Sequence, residues 1–250
     1  MIGLTGVVLS KNEEDNIQKC LKSLDFCDEL VLIDDYSTDQ TIKRAIETNS
    51  KLKIFKRKLN NNFSNQRNFG LAKARTDWAL FIDADERVDD KLSQEILRVI
   101  KDQSNPNVGF YIRRQDFIFG KEIKHGEFGT IELLRLFKGD KGRWAREIHE
   151  YVKIKGSTAK LQTPLKHLPH QKLKDFVTQI NFYSTLHAKA NMKEHKKSNV
   201  FKIVFYPIFK FINNYFLKLG FLDGAPGLVL SIMMSFHSFL SWSKLWEKQN

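Results

Sequence analysis

Two carboxylates, Asp83 and Asp85, close the apolar run Trp78-Ala-Leu-Phe-Ile-Asp-Ala-Asp-Glu86. The four residues from Ala79 to Ile82 read as a buried strand. A pair of acids just past its end lies where open α/β sheets bind ligands, outside the carboxyl ends of the strands. Two neighbouring anions repel and raise each other's pKa. A hard divalent ion, Mg²⁺ or Mn²⁺, relieves that repulsion, because it takes oxygen ligands and bridges to substrate phosphates. The same two residues, taken singly, also fit a solvated strand-to-helix turn with Asp89 capping the next helix.

Two upstream junctions have the same form. Leu4-Thr-Gly-Val-Val-Leu9 runs into Ser10-Lys-Asn-Glu-Glu14, and Leu30-Val-Leu-Ile33 runs into Asp34-Asp-Tyr-Ser-Thr-Asp39. A helical pattern follows each. Ile17, Cys20, Leu21 and Leu24 keep the i, i+3, i+4, i+7 spacing, as do Leu92, Ile96, Val99 and Ile100 after the Asp-x-Asp. Ile42, Ala45 and Ile46 follow a cap expected at Ser37 or Thr38. Alternating strands and helices predict an α/β fold with a largely parallel sheet. Three polar loops then gather on one sheet edge. Their Asn, Asp and Ser suit ribose hydroxyls and a base edge, and the Asp-x-Asp suits a diphosphate through a metal. This is a nucleotide site with neither a P-loop nor a Gly-x-Gly-x-x-Gly.

The three motifs, with Asn65-Gln-Arg-Asn68 between them, resemble the nucleotide-binding half of the GT-A glycosyltransferases of inverting family 2. Leu134-Arg-Leu-Phe137, Gly142-Arg-Trp144, Ile148-His-Glu150 and Gly220-Phe-Leu-Asp-Gly224 resemble the lipopolysaccharide inner-core β-1,4-glucosyltransferase subgroup, so that nearly the whole chain is covered. The resemblance implies a Rossmann-like GT-A fold, a UDP-sugar donor and Mg²⁺ or Mn²⁺. It places Ser10, Asn12 and Glu13 near the uridine ribose, and Asp34 and Asp35 at uracil and ribose. Arg67 would reach phosphate or pair with a carboxylate. Asp83 would face the ribose or the sugar, and Asp85 would bind the metal. Glu150 would be the catalytic base. Family members usually carry valine before that His-Glu, whereas here Ile148 follows an extra acid, and Glu147 is therefore a rival base. His167 is a candidate for the metal shell. His125, His149 and His170 read as ordinary loop histidines.

Composition adds a second theme. The net charge is +12, from 41 basic and 29 acidic residues. Residues 171–250 hold eleven lysines, no arginine and four acids, together with ten of the 20 phenylalanines. Lysine mixed with apolar aromatic runs predicts contact with an anionic membrane surface. Nucleic acid would favour the same charge, but arginine and a stacking platform are both missing from this segment, so no nucleic-acid partner is expected. Gly224–Ser243 carries no formal charge. With Gly224, Pro226 and Gly227 breaking its start, the helix is expected over Leu228–Trp242, with Ser231, Ser235 and Ser238 as a polar stripe. That pattern suits a peripheral or packed helix better than a spanning one. Two cysteines, Cys20 on a helix face and Cys27 in a loop, fit a reducing cytosol, and no signal peptide is read at the start.

The expected organisation is a catalytic domain over 1–170 with a basic, aromatic, helical C-terminal extension over 171–250. Within the catalytic domain, 1–103 form the donor half and 104–170 the acceptor half, where Arg113 and Arg114 could meet an anionic acceptor. The expected protein is a cytoplasmic enzyme, peripheral on the inner membrane face, that moves a hexose, glucose by resemblance, from a UDP-sugar to a lipopolysaccharide-core or related glycolipid or saccharide acceptor. Transfer to a polyprenyl phosphate, nucleotidyl transfer and a non-catalytic membrane-surface or nucleic-acid module are the competing readings.

Overall fold

The computed structural model describes residues 2–49, 52–129, 131–147, 150–169 and 171–249. The elements run β1 (Leu4–Ser10), α1 (Ile17–Lys22), β2 (Glu29–Asp34), α2 (Thr41–Thr48), β3 (Leu52–Lys56), α3 (Phe63–Leu71), β4 (Trp78–Asp83), β5 (Glu86–Arg87), α4 (Asp90–Lys101) and β6 (Asn107–Ile118). After these come β7 (Lys121–Ile123), β8 (Glu132–Lys138), β9 (Gly142–Ala145), β10 (Tyr151–Ile154), β11 (Ser157–Lys160) and β12 (Leu165–His167). Three long helices follow, α5 (Leu173–Lys193), α6 (Val200–Ile212) and α7 (Ala225–Glu247). The chain divides into two compact units: Met1–Arg114 with Glu132–His167, and Gln115–Ile131 with Leu168–Asn250.

In the first unit the sheet order begins β3-β2-β1-β4-β8-β6. The first four strands are parallel, and β8 then turns the sheet antiparallel against both β4 and β6. The order reverses between β1 and β4, which makes the carboxyl ends of these two strands the topological switch point where α/β sheets take ligands. Register brings the motifs into line there: Ser10 sits across from Asp34, and Leu9 across from Asp83. A short antiparallel ladder of β12 on β5 places His167 opposite Glu86.

The inner parallel strands β1, β2 and β4 are largely apolar because both of their faces are covered. Val8, Leu32, Leu80 and Ile82 pack under α1 and α4, against Ile17, Cys20, Leu21, Leu92 and Ile96. On the other face Val7, Val31, Ile33 and Phe81 meet Phe137, Trp144 and Val152. Helix α3 lies close on this second face. A Cβ at Gly70 would stand 2.6 Å from Val7 Cγ1, so only glycine permits the approach.

Two local expectations are corrected and one strand is added. Helix α2 starts at Thr41 without a Ser37 or Thr38 cap, because both of those residues are bound into the loop network, and Asp39 Oδ1 accepts the Thr41 amide instead, at 2.9 Å. The sheet gains an edge strand, β3, whose lysines and half-exposed apolar residues gave no clear run. Helix α7 begins at Ala225 rather than Leu228, since Pro226 falls in its first turn, where the missing N–H costs nothing. The Asp89 cap is as expected: its Oδ1 accepts from Leu92 N at 3.0 Å.

In the second unit the end of β6 pairs antiparallel with β7, and α7 packs along both α5 and α6. Ile118, Ile123, Phe176, Ile180, Leu230 and Met233 form its core. The Gly220-Phe-Leu-Asp-Gly224 pattern has a structural use here. Asp223 is buried, accepts the amides of Lys124 and His125, and pairs with His125 Nδ1 at 2.9 Å. A Cβ on Gly227 would lie 2.0 Å from the Gly220 carbonyl. Helix α7 is long and apolar enough to cross a membrane by length and composition, a test that the core helices of soluble proteins also pass.

Candidate active site

The loop after β1 and the loop after β2 are laced together by the residues that the sequence singled out. Asp34 is fully buried at the end of β2, and accepts from Ser10 Oγ at 3.2 Å, from the Ser37 amide at 2.9 Å and from Ser37 Oγ. Asn12, in the left-handed region at φ 54°, accepts the Thr38 amide at 2.8 Å and donates its own amide to Ser37 Oγ. Asp35 is half-buried. One oxygen takes Lys11 Nζ at 2.7 Å and the other the Leu59 amide at 3.0 Å. Asp34 and Asn12 thus shape the cradle, and Asn12 and Tyr36 remain exposed on it.

A buried charge network lies at the end of β4. Arg67, on α3, donates Nη2 to Asp83 Oδ1 at 2.8 Å and Nε to Glu150 Oε1 at 2.9 Å. Its guanidinium carbon lies 4.8 Å from the centre of the Trp144 ring, a cation–π contact. Arg135, on β8, donates Nη2 to Asp83 Oδ2 and to Glu86 Oε1, at 2.8 and 2.9 Å. Burial works to raise the Asp83 pKa, but Arg135 and then Arg67 outweigh it and hold the carboxyl well below its usual range. Glu86 goes the other way: burial pushes it up despite Arg135. Asn68 fixes the far wall with two bonds to Trp144, one to its carbonyl and one from its amide.

Sequence reasoning missed Arg135, Glu86 and Arg87. The available signal was an arginine in the middle of the apolar strand Leu133–Phe137, since a buried guanidinium demands carboxylates. Arg135→Leu should lower stability by about 3–5 kcal/mol, because the fully buried Glu86 would lose its guanidinium partner and Asp83 would keep Arg67 alone. Urea unfolding of the variant beside wild type measures this. An unchanged midpoint would show that the pair is not held as described.

Asp85 faces a different set of partners. Its Oδ2 lies 3.2 Å from His167 Nε2. Burial acts to raise its pKa, yet His167 and, more weakly, Arg114 keep it lowered. Glu13 is pushed up to about 7, first by burial and then by the charge of Asp85, against a hydrogen bond from Asn16. A Glu13 carboxyl raised in this way can carry a proton near neutral pH and donate it to a ligand hydroxyl or anion. Arg87 closes the floor of this region, bonding the Asn16 carbonyl and side chain and the carbonyls of Ala84 and Glu86.

A divalent cation fits this chemistry at Asp85. Among the described residues no group of three or more His, Cys, Asp or Glu converges on one point. Asp83 has both oxygens committed to arginines. That leaves Asp85 with His167, an oxygen and a nitrogen donor. Mg²⁺ commonly binds through one or two protein carboxylates, keeping waters and taking its other ligands from substrate phosphates. The resemblance had offered Glu147 as a rival to Glu150. Glu147 is exposed, and its carbonyl accepts the Phe63 amide, whereas Glu150 joins the Asp83 network through Arg67. Ile148, His149 and His170 lie outside the described residues. Arg113 is exposed and Arg114 half-buried.

A family model, Glycosyl transferase family 2, matches residues 6–154, a span that runs from β1 through β10 and includes Arg67, Asp83, Asp85, Arg135 and Glu150, with His167 beyond it. The chain belongs to glycosyltransferase family 2. This family 2 enzyme is 27% identical, over 98% of its length and 92% of the relative's, to the lipopolysaccharide core biosynthesis glycosyltransferase LpsC of Rhizobium meliloti (strain 1021). It is also 27% identical to the uncharacterized glycosyltransferase RT0209 of Rickettsia typhi, covering 96% of this chain and 85% of the relative. Among solved structures, S. aureus TarS 1-349 in complex with UDP-GlcNAc superposes with a TM-score of 0.50 at 13% identity, covering 99% of this chain and 91% of that one. The family 2 chain thus has the GT-A fold, a mixed and mostly parallel sheet with flanking helices, followed by C-terminal helices.

Proposed function

We propose that this glycosyltransferase moves a hexose, glucose being the first candidate, from a UDP-sugar to a lipopolysaccharide-core or related glycolipid acceptor at the cytoplasmic face of a membrane. The observation that carries the reading is the convergence at the β1/β4 switch point. The polar cradle built on Asp34 and Asn12, Asp85 with His167, and Glu150 held by Arg67 all belong to one compact unit. LpsC supports the acceptor class by its name, and TarS supports the donor class by the nucleotide sugar in its complex.

Inverting transfer is a direct displacement through an oxocarbenium-like transition state. The acceptor oxygen bonds to the anomeric carbon as the bond from that carbon to the diphosphate breaks. The acceptor proton goes to Glu150. Arg67 fixes Oε1 of that carboxylate, and Oε2 has no partner among the described residues. Asp85 and His167 would hold a divalent ion, which would supply Lewis-acid stabilisation of the departing diphosphate. Ser10, Asn12, Glu13 and Asp35 orient the uridine, directly or through the loops that they tie together.

Calorimetric titration with a panel of nucleoside diphosphates and UDP-sugars, with and without Mn²⁺, tests the donor class. Metal-dependent binding of UDP is expected, and weak or no binding of ADP and GDP. A folded protein that binds none of them would overturn the glycosyl-transfer reading of the cradle.

A further inference from the structure

We propose that α6 and the outward face of α7 form a monotopic membrane-docking element, which lies in the plane of an anionic bilayer and takes acyl chains into the groove between the two helices. The inference rests on the proposed membrane-borne acceptor for its purpose, but its evidence lies wholly within the second unit.

Helix α6 is apolar where it should be wet. Val204, Phe205, Tyr206, Ile208, Phe209 and Ile212 are all exposed, and Pro207 is its one buried residue. At about 100° per residue those six cover roughly 200° of the helix circumference. An apolar stripe meant for a protein neighbour is nearer 100° wide. A surface wrapped so far round is satisfied by a fluid apolar phase rather than by one flat partner. Helix α7 is inverted in the same sense. Ser231 and Ser235 turn inward, donating to the carbonyls of Gly227 and Pro207, while Ile232, Phe236 and Phe239 face out. Polar groups satisfied inside and apolar groups outside is the arrangement that lipid imposes.

The two helices leave an open groove of about 420 Å³ lined by Ile203, Val204, Pro207, Ile232, Phe236 and Phe239, with Ser235 at its floor. Its walls are mostly apolar side chains. Helix α6 has 13 residues, about 20 Å, too short for a hydrocarbon core of about 30 Å, so it lies along the interface. Interfacial anchors stand beside it. Trp242 packs edge-on against Tyr206, under Lys202 Nζ at 4.9 Å, and Trp246 is exposed. Charge decides between lipid and a second copy of the chain. Residues 171–250 carry a net +7, with Lys197, Lys218 and Lys248 exposed. Two copies meeting here would bring like charges together, whereas an anionic leaflet attracts them.

The test uses the full chain and vesicles of phosphatidylglycerol with phosphatidylethanolamine, or of phosphatidylcholine alone. Wild type should float with the anionic vesicles. Phe205→Glu/Phe209→Glu should weaken this by at least about tenfold, with an unchanged far-UV circular dichroism spectrum. Lys197→Gln/Lys218→Gln should weaken binding to the anionic vesicles alone. In the unmodified protein, brominated acyl chains should quench the fluorescence of Trp242 and Trp246, since Trp78 and Trp144 are buried in the other unit. Flotation undiminished in the Glu variant, no quenching, or a wild-type dimer that the Glu variant splits would each overturn the proposal. Titration of the same preparations with UDP keeps the two readings apart. Vesicle binding without nucleotide binding would sink the donor reading and leave this one standing.

Discussion

Glu150→Gln should reduce turnover by about 10²–10⁴-fold, the range that a positioned general base contributes, while UDP-sugar binding stays within a factor of a few. Glutamine keeps the shape of the side chain and an oxygen that can accept from Arg67 Nε, 2.9 Å away in the native pair. It cannot take the acceptor's proton. The variant thus separates catalysis from architecture, whereas Glu150→Ala would also free Arg67, which holds Asp83 at 2.8 Å. The measurement is kcat for transfer beside calorimetric binding of the donor. A Glu150→Gln enzyme with wild-type kcat would move the base elsewhere, and Glu147→Gln is then the next variant to make.

The strands that carry this chemistry were legible because each combines a local apolar run with a polar break. Asp34 and Asp83 stand out at the ends of β2 and β4 because nothing in a buried strand tolerates a carboxylate until the strand ends. The helices α1 and α4 were legible for a similar reason: one face of each is apolar at helical spacing, and Ile17, Cys20, Leu21, Leu92 and Ile96 are buried as that spacing requires.

Partnership was not legible, because it is set by long-range pairing. Arg135 reaches Asp83 only because β8 runs antiparallel to β4. No local pattern in Leu133–Phe137 says which carboxylate will answer its guanidinium. Arg67 had two readings, phosphate or carboxylate, and the fold gives it two carboxylates at once. Asp34 shows the same limit in the other direction. Its position suggested a ligand contact, yet its oxygens are taken by Ser10 and Ser37, so its direct work is to hold two loops in register. The inward serines of α7 were visible as a stripe, but only the packed helices show that the stripe faces protein and the phenylalanines face out.

Asp85→Ala should abolish metal-dependent binding of UDP and remove transfer activity to the limit of detection, with less effect on folding than Arg135→Leu. The asymmetry follows from the partners. Asp83 is tied to two arginines and shares one of them with Glu86, so removing a member of that set strands a buried charge. Asp85 pairs with His167 rather than with an arginine, and a histidine whose carboxylate is removed can lose its proton. The alanine variant should therefore remain folded at neutral pH while losing the Asp-x-Asp carboxylate that is not committed to an arginine. His167→Ala should give a smaller loss, because the oxygen donor that hard divalent ions prefer is still present. Titration of UDP against wild type and both variants, with Mn²⁺ and then with EDTA, orders the three. Equal UDP affinity in wild type with and without metal, unchanged by Asp85→Ala, would mean that the leaving diphosphate is balanced by the chain's own cations. Arg114, half-buried and close enough to lower the Asp85 pKa, would then be the first residue to substitute.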